Sequence, residues 1–150
     1  MQTEEKRIII RKYQKEELDN NYQQLIDVAY QAAENAYAPY SSLRVGASVL
    51  LQSGIIESAS NQENVAYPAG MCAERVILNY VTAKYKDGVV KALAVVSPDT
   101  DKIVSPCGAC RQVMAEIIKR KGEDFEVIIV DPDTVYIINA GDLLPFAFDF

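Results

Sequence analysis

Cys72, Cys107 and Cys110 are the side chains of this sequence best suited to chemistry, and they are its only cysteines. An odd number of thiols does not suit a disulfide framework, which leaves reduced thiols with a metal or catalytic task. Cys107-Gly-Ala-Cys110 sits where a helix is expected to begin, and that spacing puts two sulfurs on one side of the helix start, within reach of a common ion. Helix N-termini carry positive partial charge and free amide donors, so they favour thiolate over thiol. Compact sets of thiolates select zinc over hard cations such as magnesium. Three protein ligands leave a coordination position open, as in catalytic zinc, and a water there ionises near neutral pH. Buried cysteine is also a common core residue, so the CxxC spacing alone is weak. Glu74 strengthens it: the carboxylate lies two residues after Cys72, on the turn the metal would occupy, although a Glu at a helix start can also serve the helix dipole.

The chain has 150 residues and no histidine, which excludes Ser-His and Cys-His nucleophile pairs and HExxH zinc sites. Proton chemistry falls to Glu, Asp, Lys, Tyr or Cys. A net charge of -6 makes it a poor general binder of nucleic acid. The basic residues Lys6, Arg7, Arg11, Lys12 and Lys15 are interrupted by apolar ones and read as a solvated edge. No apolar run approaches the ~20 residues that span a bilayer, and the acidic start MQTEEKRIII lacks a signal-peptide pattern. The expectations are therefore no nucleic-acid partner, no membrane and a cytoplasmic location.

The elements that must position these groups follow from periodicity. Apolar positions from Tyr22 to Tyr37 recur at helical spacing, with Asn20 or Asn21 as cap, and Pro39 ends the run. Arg44–Leu51 and Ile55–Asn61, joined by Gln52-Ser53-Gly54, predict a hairpin. Cys72–Tyr85 reads as a second helix and Lys91–Ser97 as a buried strand. Ser105 and Pro106 read as the cap and first turn of a third helix running to about Lys121, with Gly122 as its stop. Glu126–Val130 and Val135–Asn139 complete the strands. The expected fold is a three-layer α/β/α sandwich on a mixed five-stranded sheet. No repeat, low-complexity tract or Gly/Ser linker divides the chain, so it reads as one domain, to which Lys6–Tyr13, with the apolar run Ile8-Ile9-Ile10, adds a short strand or arm.

With those elements in place, Cys72-Ala-Glu74 followed by Pro106-Cys-Gly-Ala-Cys110 matches the pattern of zinc deaminases: a ligand, then x-Glu, then P-C-x-x-C. Ala36-Tyr-Ala-Pro-Tyr-Ser41, Val45-Gly-Ala47, Asn61-Gln-Glu-Asn64, Cys72-Ala-Glu-Arg75, Ser105-Pro-Cys-Gly-Ala-Cys-Arg-Gln112 and Leu143-Leu-Pro-Phe-Ala-Phe148 follow in matching order. The chain resembles the cytidine deaminase family in its small three-cysteine, homotetrameric branch, from about Tyr22 to Phe148, which implies an arm over 1–21 outside the match and a catalytic domain over 22–150. The resemblance implies a zinc-dependent hydrolase of pyrimidine salvage that converts cytidine or deoxycytidine to the uridine nucleoside and ammonia. It implies Cys72, Cys107 and Cys110 as ligands of one zinc per subunit, and Glu74 as the group that shuttles every proton. It implies Asn61 and Glu63 on the ribose hydroxyls, backbone near Val65 and Cys72 at the base edge, Tyr40 beside the nucleoside and Phe148 in the base pocket. If the segment is a strand, Asn61 and Glu63 share a face.

Three thiolates on Zn²⁺ leave a net negative core. Arg75 is the candidate to offset it, and Arg111 and Gln112 are candidate donors to sulfur; an ordinary surface ion pair is the other reading of both arginines. Tyr67 is expected at a subunit boundary, and Phe125 and Phe146 in the core. The family usually has Phe where this chain has Leu43, which would cost an aromatic contact of about 0.5–1.5 kcal/mol. Ser60 and Gln62 also depart from the family, Ser60 as a packing change and Gln62 as a possible change at a subunit interface. Two alternatives stand beside the cytidine reading. A deaminase of another aminopyrimidine nucleoside, such as blasticidin S, shares the metal motifs but lacks the Asn-x-Glu pair. A non-catalytic zinc-binding relic would have no use for Glu74. Nucleotide and nucleic-acid deaminases typically place His where Cys72 stands.

Overall fold

The computed structural model of the chain describes residues 1–149. Its elements are β1 (Arg11–Tyr13), α1 (Asn20–Ala33), β2 (Gly46–Leu51), β3 (Ile56–Ser60), α2 (Ala73–Lys84), β4 (Val90–Val96), α3 (Gly108–Lys121), β5 (Glu126–Val130) and β6 (Val135–Asn139), with short 3-10 turns at Lys15–Glu17, Tyr67–Ala69 and Ala140–Leu143. The strands form one mixed sheet in the order β1-β6-β5-β4-β2-β3, parallel only between β4 and β5.

The three-layer α/β/α expectation holds, with six strands instead of five. The extra strand comes from the arm. Arg11–Tyr13 pairs antiparallel with Ile137–Val135 and covers an edge that β6 would otherwise expose. Its side chains hold it there: Arg11 reaches Glu126 at 2.7 Å and Lys12 lies over the Tyr136 ring. Lys6 and Lys15 pair with Asp142 and Asp27, so four of the five basic residues near the N-terminus are engaged with the domain.

β4 explains the layering. Buried along nearly its whole length, it turns Ala92, Ala94 and Val96 toward α1 and Leu93 and Val95 toward α2 and α3. Leu25, Ile26 and Ala29 of α1 fill the first layer, while Ile77 and Val81 of α2 and Met114 and Ile117 of α3 fill the second. The first layer is thin because small residues line it. A Cβ on Gly46 would stand 1.8 Å from the Ala29 carbonyl oxygen, so only glycine lets α1 lie this close to β2.

Helix ends differ from the periodicity in instructive places. α1 starts one or two residues early, capped by the Asp19 carboxylate on the Tyr22 amide, and stops at Ala33 because Tyr37 leaves to bond Asn61 and Glu63. α3 begins at Gly108 with Cys107 as its cap, not at Ser105. The Ser105 hydroxyl and the Pro106 carbonyl instead accept hydrogen bonds from Arg111. Among the described residues, no helix is long and apolar enough to cross a membrane.

Candidate active site

Gly46, Ser60 and Val96 stand side by side at one end of the sheet, and the loops leaving that end carry the candidate residues. α2 and α3 both begin there, each with a cysteine at the N-cap, Cys72 and Cys107. An N-cap side chain ordinarily accepts a bond from its own helix, yet neither sulfur does so. Both are left free to face a third group. Cys110, in the first turn of α3, is fully buried and completes the set. The Cys107 and Cys110 sulfurs are 3.4 Å apart, those of Cys72 and Cys107 are 3.9 Å apart, and all three lie within 4.8 Å of one another. Tetrahedral zinc with Zn–S near 2.3 Å needs sulfurs about 3.8 Å apart. The separations of the trio bracket that spacing, so its donor set suits the ion.

Electrostatics point the same way. Cys72 is drawn down to about 5, first by the Cys110 thiol and then by Cys107 and the Arg75 guanidinium, against the opposing effect of burial. Cys110 is pushed far up by its bond to Cys72, by burial and by Glu74. Cys72 and Cys110 thus share one negative charge as a pair, the first favoured as thiolate and the second as thiol. A further cation is what would let the whole set ionise. Arg75 supplies part of that charge. Its Nη2 donates to the Gly70 carbonyl at 2.8 Å, and its buried Nε has no hydrogen-bond partner. A buried guanidinium N–H left over beside a thiolate is what a metal–sulfur centre uses to spread its charge.

Glu74 sits on the first turn of α2, 4% exposed. Burial raises its carboxyl, the charge of Cys72 raises it further, and contact with the Cys110 thiol opposes both.

The remaining candidates surround this centre in different ways. β3 ends at Ser60, so Asn61 and Glu63 lie beyond the strand, where Gln62 makes single bridges to Tyr37 and Met71. Asn61 uses its amide to brace the chain, accepting from the Val45 N–H and donating to the Leu43 carbonyl. Glu63 accepts from the Tyr40 and Ser41 amides, and its carboxylate is lowered, chiefly by the Ser41 hydroxyl. Leu43 packs against the main core, while Tyr40, Val65 and Phe148 are exposed. Ser60 is buried, and Gln62 donates to its hydroxyl and to the Asn35 carbonyl.

Arg111 and Gln112 have other partners than sulfur. Arg111 donates to the Pro106 and Leu143 carbonyls and the Ser105 hydroxyl, and Gln112 pairs with the backbone of Phe148. Phe125 is core, as expected, but Phe146 is 99% exposed, because the chain past Leu143 lies on the surface of α3 and buries backbone contacts instead of that ring. Sequence does not show the partners of Gln112 and Asn61 because they are backbone atoms distant in the chain, and Arg111 joins the nearby Ser105 hydroxyl and Pro106 carbonyl to the distant Leu143 carbonyl. Arg-Gln directly after Cys110 was the available signal, and it carries no direction.

Residues 19–121 match the family model described as the cytidine and deoxycytidylate deaminase zinc-binding region. A protein named cytidine deaminase from Halalkalibacterium halodurans is 42% identical over 127 residues, covering 84% of this chain and 92% of its own. A 1.6 Å crystal structure of cytidine deaminase from Burkholderia pseudomallei superposes with a TM-score of 0.75 at 42% identity, covering 85% of this chain and 98% of that one. The crystal structure of cytidine deaminase from Mycobacterium tuberculosis gives 0.71 at 34% identity, covering 88% and 100%. With three thiols gathered at two helix starts and a buried glutamate beside them, this chain belongs to the cytidine and deoxycytidylate deaminase zinc-binding family.

Proposed function

We propose that this protein is a zinc-dependent cytidine deaminase that hydrolyses cytidine or deoxycytidine to the uridine nucleoside and ammonia, a reaction of pyrimidine salvage in the cytoplasm. The observation that carries this reading is the packing of three sulfurs within 4.8 Å of one another beside a buried Glu74. Cys72, Cys107 and Cys110 hold the metal, and Arg75 offsets part of their charge. When bound, zinc supplies the Lewis acidity that makes a water nucleophilic near neutral pH.

The protein's own groups do the rest. Glu74, raised by burial and free of any histidine competitor, takes a proton from the attacking water at its carboxylate oxygen and gives it to ring N3. Its second transfer carries the remaining proton of the hydroxyl on C4 to the exocyclic amine as the C4–N bond breaks. The water oxygen remains as the C4 carbonyl, and nitrogen leaves as ammonia. Glu63 keeps one carboxylate oxygen on the Tyr40 and Ser41 amides and offers the other to a ribose hydroxyl, with the Asn61 amide beside it. Val65 backbone, Tyr40, Leu43 and Phe148 line the nucleoside. Leu43 gives up the stacking of an aromatic ring but keeps an apolar wall.

The active unit is a homotetramer. Tyr67, Val65 and Phe146 are 91%, 85% and 99% exposed in the single chain, which leaves these apolar side chains available to an interface. The test is direct. Purified protein is assayed for zinc by atomic absorption and for loss of cytidine's ultraviolet absorbance. One zinc per chain and steady turnover are expected, with chelation abolishing activity and zinc restoring it. A metal-free protein that stays inert after reconstitution overturns the reading.

A further inference from the structure

The chain beyond β6 returns to the helix that carries two of the thiols, and it is held there through its backbone. Gln112 donates from Nε2 to the Phe148 carbonyl at 3.0 Å and accepts the Phe148 amide at Oε1, 3.3 Å away. A primary amide pairing with both polar groups of one residue fixes that residue's orientation as a strand partner would. One residue earlier in α3, Arg111 spends its fork on three separate acceptors, Pro106 O at 2.7 Å, Leu143 O at 3.0 Å and Ser105 Oγ at 3.0 Å. It thereby ties the loop before Cys107 to the start of the tail. Farther along α3, Lys119 bonds Asp149. Phe146 and Phe148 are themselves exposed at the surface.

We infer that Gln112 is a positioning residue for substrate binding: by gripping the backbone of Phe148 it sets that ring relative to the thiol cluster, so that the start of α3 orients the tail and the metal ligands as one rigid body. This rests on the reading of Phe148 as part of the nucleoside pocket. The grip is indifferent to the side chain it presents, since it uses only main-chain atoms. It therefore affects where the ring stands and not the chemistry of the reaction.

The experiment uses the full-length zinc enzyme and the variants Gln112→Met, Gln112→Glu, Phe148→Ala and the Gln112→Met/Phe148→Ala double. Met keeps the length and helix propensity of Gln but removes both bonds. Glu keeps the acceptor for the Phe148 amide and loses the donor. Expected for Gln112→Met is a rise in KM for cytidine of roughly threefold to tenfold, the scale of one or two lost hydrogen bonds. Its kcat and zinc content should match the parent, and Gln112→Glu should fall between. Phe148→Ala should raise KM at least as much, and the double variant no further. A raised KM in Phe148→Ala beside an unchanged KM in Gln112→Met overturns the grip while the pocket role of Phe148 stands. Unchanged KM in both overturns that pocket role and the inference with it. Additive effects in the double variant, or zinc loss in Gln112→Met, also overturn the inference, because Gln112 would then act on something other than the ring.

Discussion

Glu74 and Arg75 are neighbours on one helical turn with opposite tasks, and their surroundings separate them. Glu74 is buried against Cys110, where its carboxyl is raised, and the proposed reaction has it hold a proton between transfers. Replacing it with Gln keeps the shape and hydrogen-bonding capacity but cannot carry a proton. Glu74→Gln should lower kcat by about 10²–10⁴-fold while retaining zinc, as read by steady-state kinetics and metal analysis of the same preparation. In the proposed site Arg75 offsets part of the sulfur charge, and its buried Nε has no hydrogen-bond partner among the described residues. Arg75→Gln should lower zinc retention under mild chelation, or lower activity at full zinc occupancy. Unchanged zinc content together with unchanged kinetics would leave the guanidinium as a prop for Gly70 alone.

Elements bring these residues together, and two tight contacts govern the elements. α1 closes on β2 only because residue 46 lacks a Cβ. Gly46→Ala must push the helix outward, since the obstacle is backbone, and should destabilise the fold by at least about 2 kcal/mol; a fall in the urea midpoint at constant slope would record it. The second contact links the loop after β4 to the segment before β2. Asp99 accepts the Arg44 amide at 2.8 Å and its guanidinium at 2.6 Å. Arg44 holds the Asp99 carboxyl down at about 2, below its ordinary 3.8. A lowered carboxylate stabilises the folded state fully above its unfolded value and loses that contribution as pH falls through the folded one. The gap in melting temperature between the parent and Asp99→Asn should therefore be complete above about pH 4 and close as the pH falls toward 2. Being exposed, the pair should give only a small gap. A gap that persists unchanged at pH 2 would place the role of Asp99 elsewhere.

At the scale of the whole molecule, exposed aromatic and aliphatic surface near the site is the feature a single chain leaves unresolved. The homotetramer reading predicts a sedimenting species of four 16.6 kDa chains. Tyr67→Glu, at a 91% exposed position, should shift that species toward smaller forms, because a carboxylate placed in an apolar interface must be desolvated. Sedimentation of parent and variant at equal concentration decides it; a monomeric parent would refute the assembly.

Much of this protein was legible in its residue string. Ligand spacing, the adjacent glutamate and the absence of histidine define a reaction class without any coordinates, because metal chemistry depends on residue types at short separations along helices. The helices and strands were legible for a related reason, since burial imposes its period on local sequence. The sixth strand was half visible, as Ile8-Ile9-Ile10 suggested extended structure, but its pairing at Arg11–Tyr13 depends on an edge contributed by β6 far along the chain. Ser105-Pro106 misled the start of α3, because local capping preference cannot register that Arg111 competes for the same oxygens. Tertiary structure alone decided which helix end turned its cysteine toward the others, what Asn61 braces, and where the tail is held. The first rests on sulfurs, and the other two on backbone atoms, brought together from distant segments. A main-chain carbonyl leaves no mark on residue identity, so only the folded chain could reveal its partner.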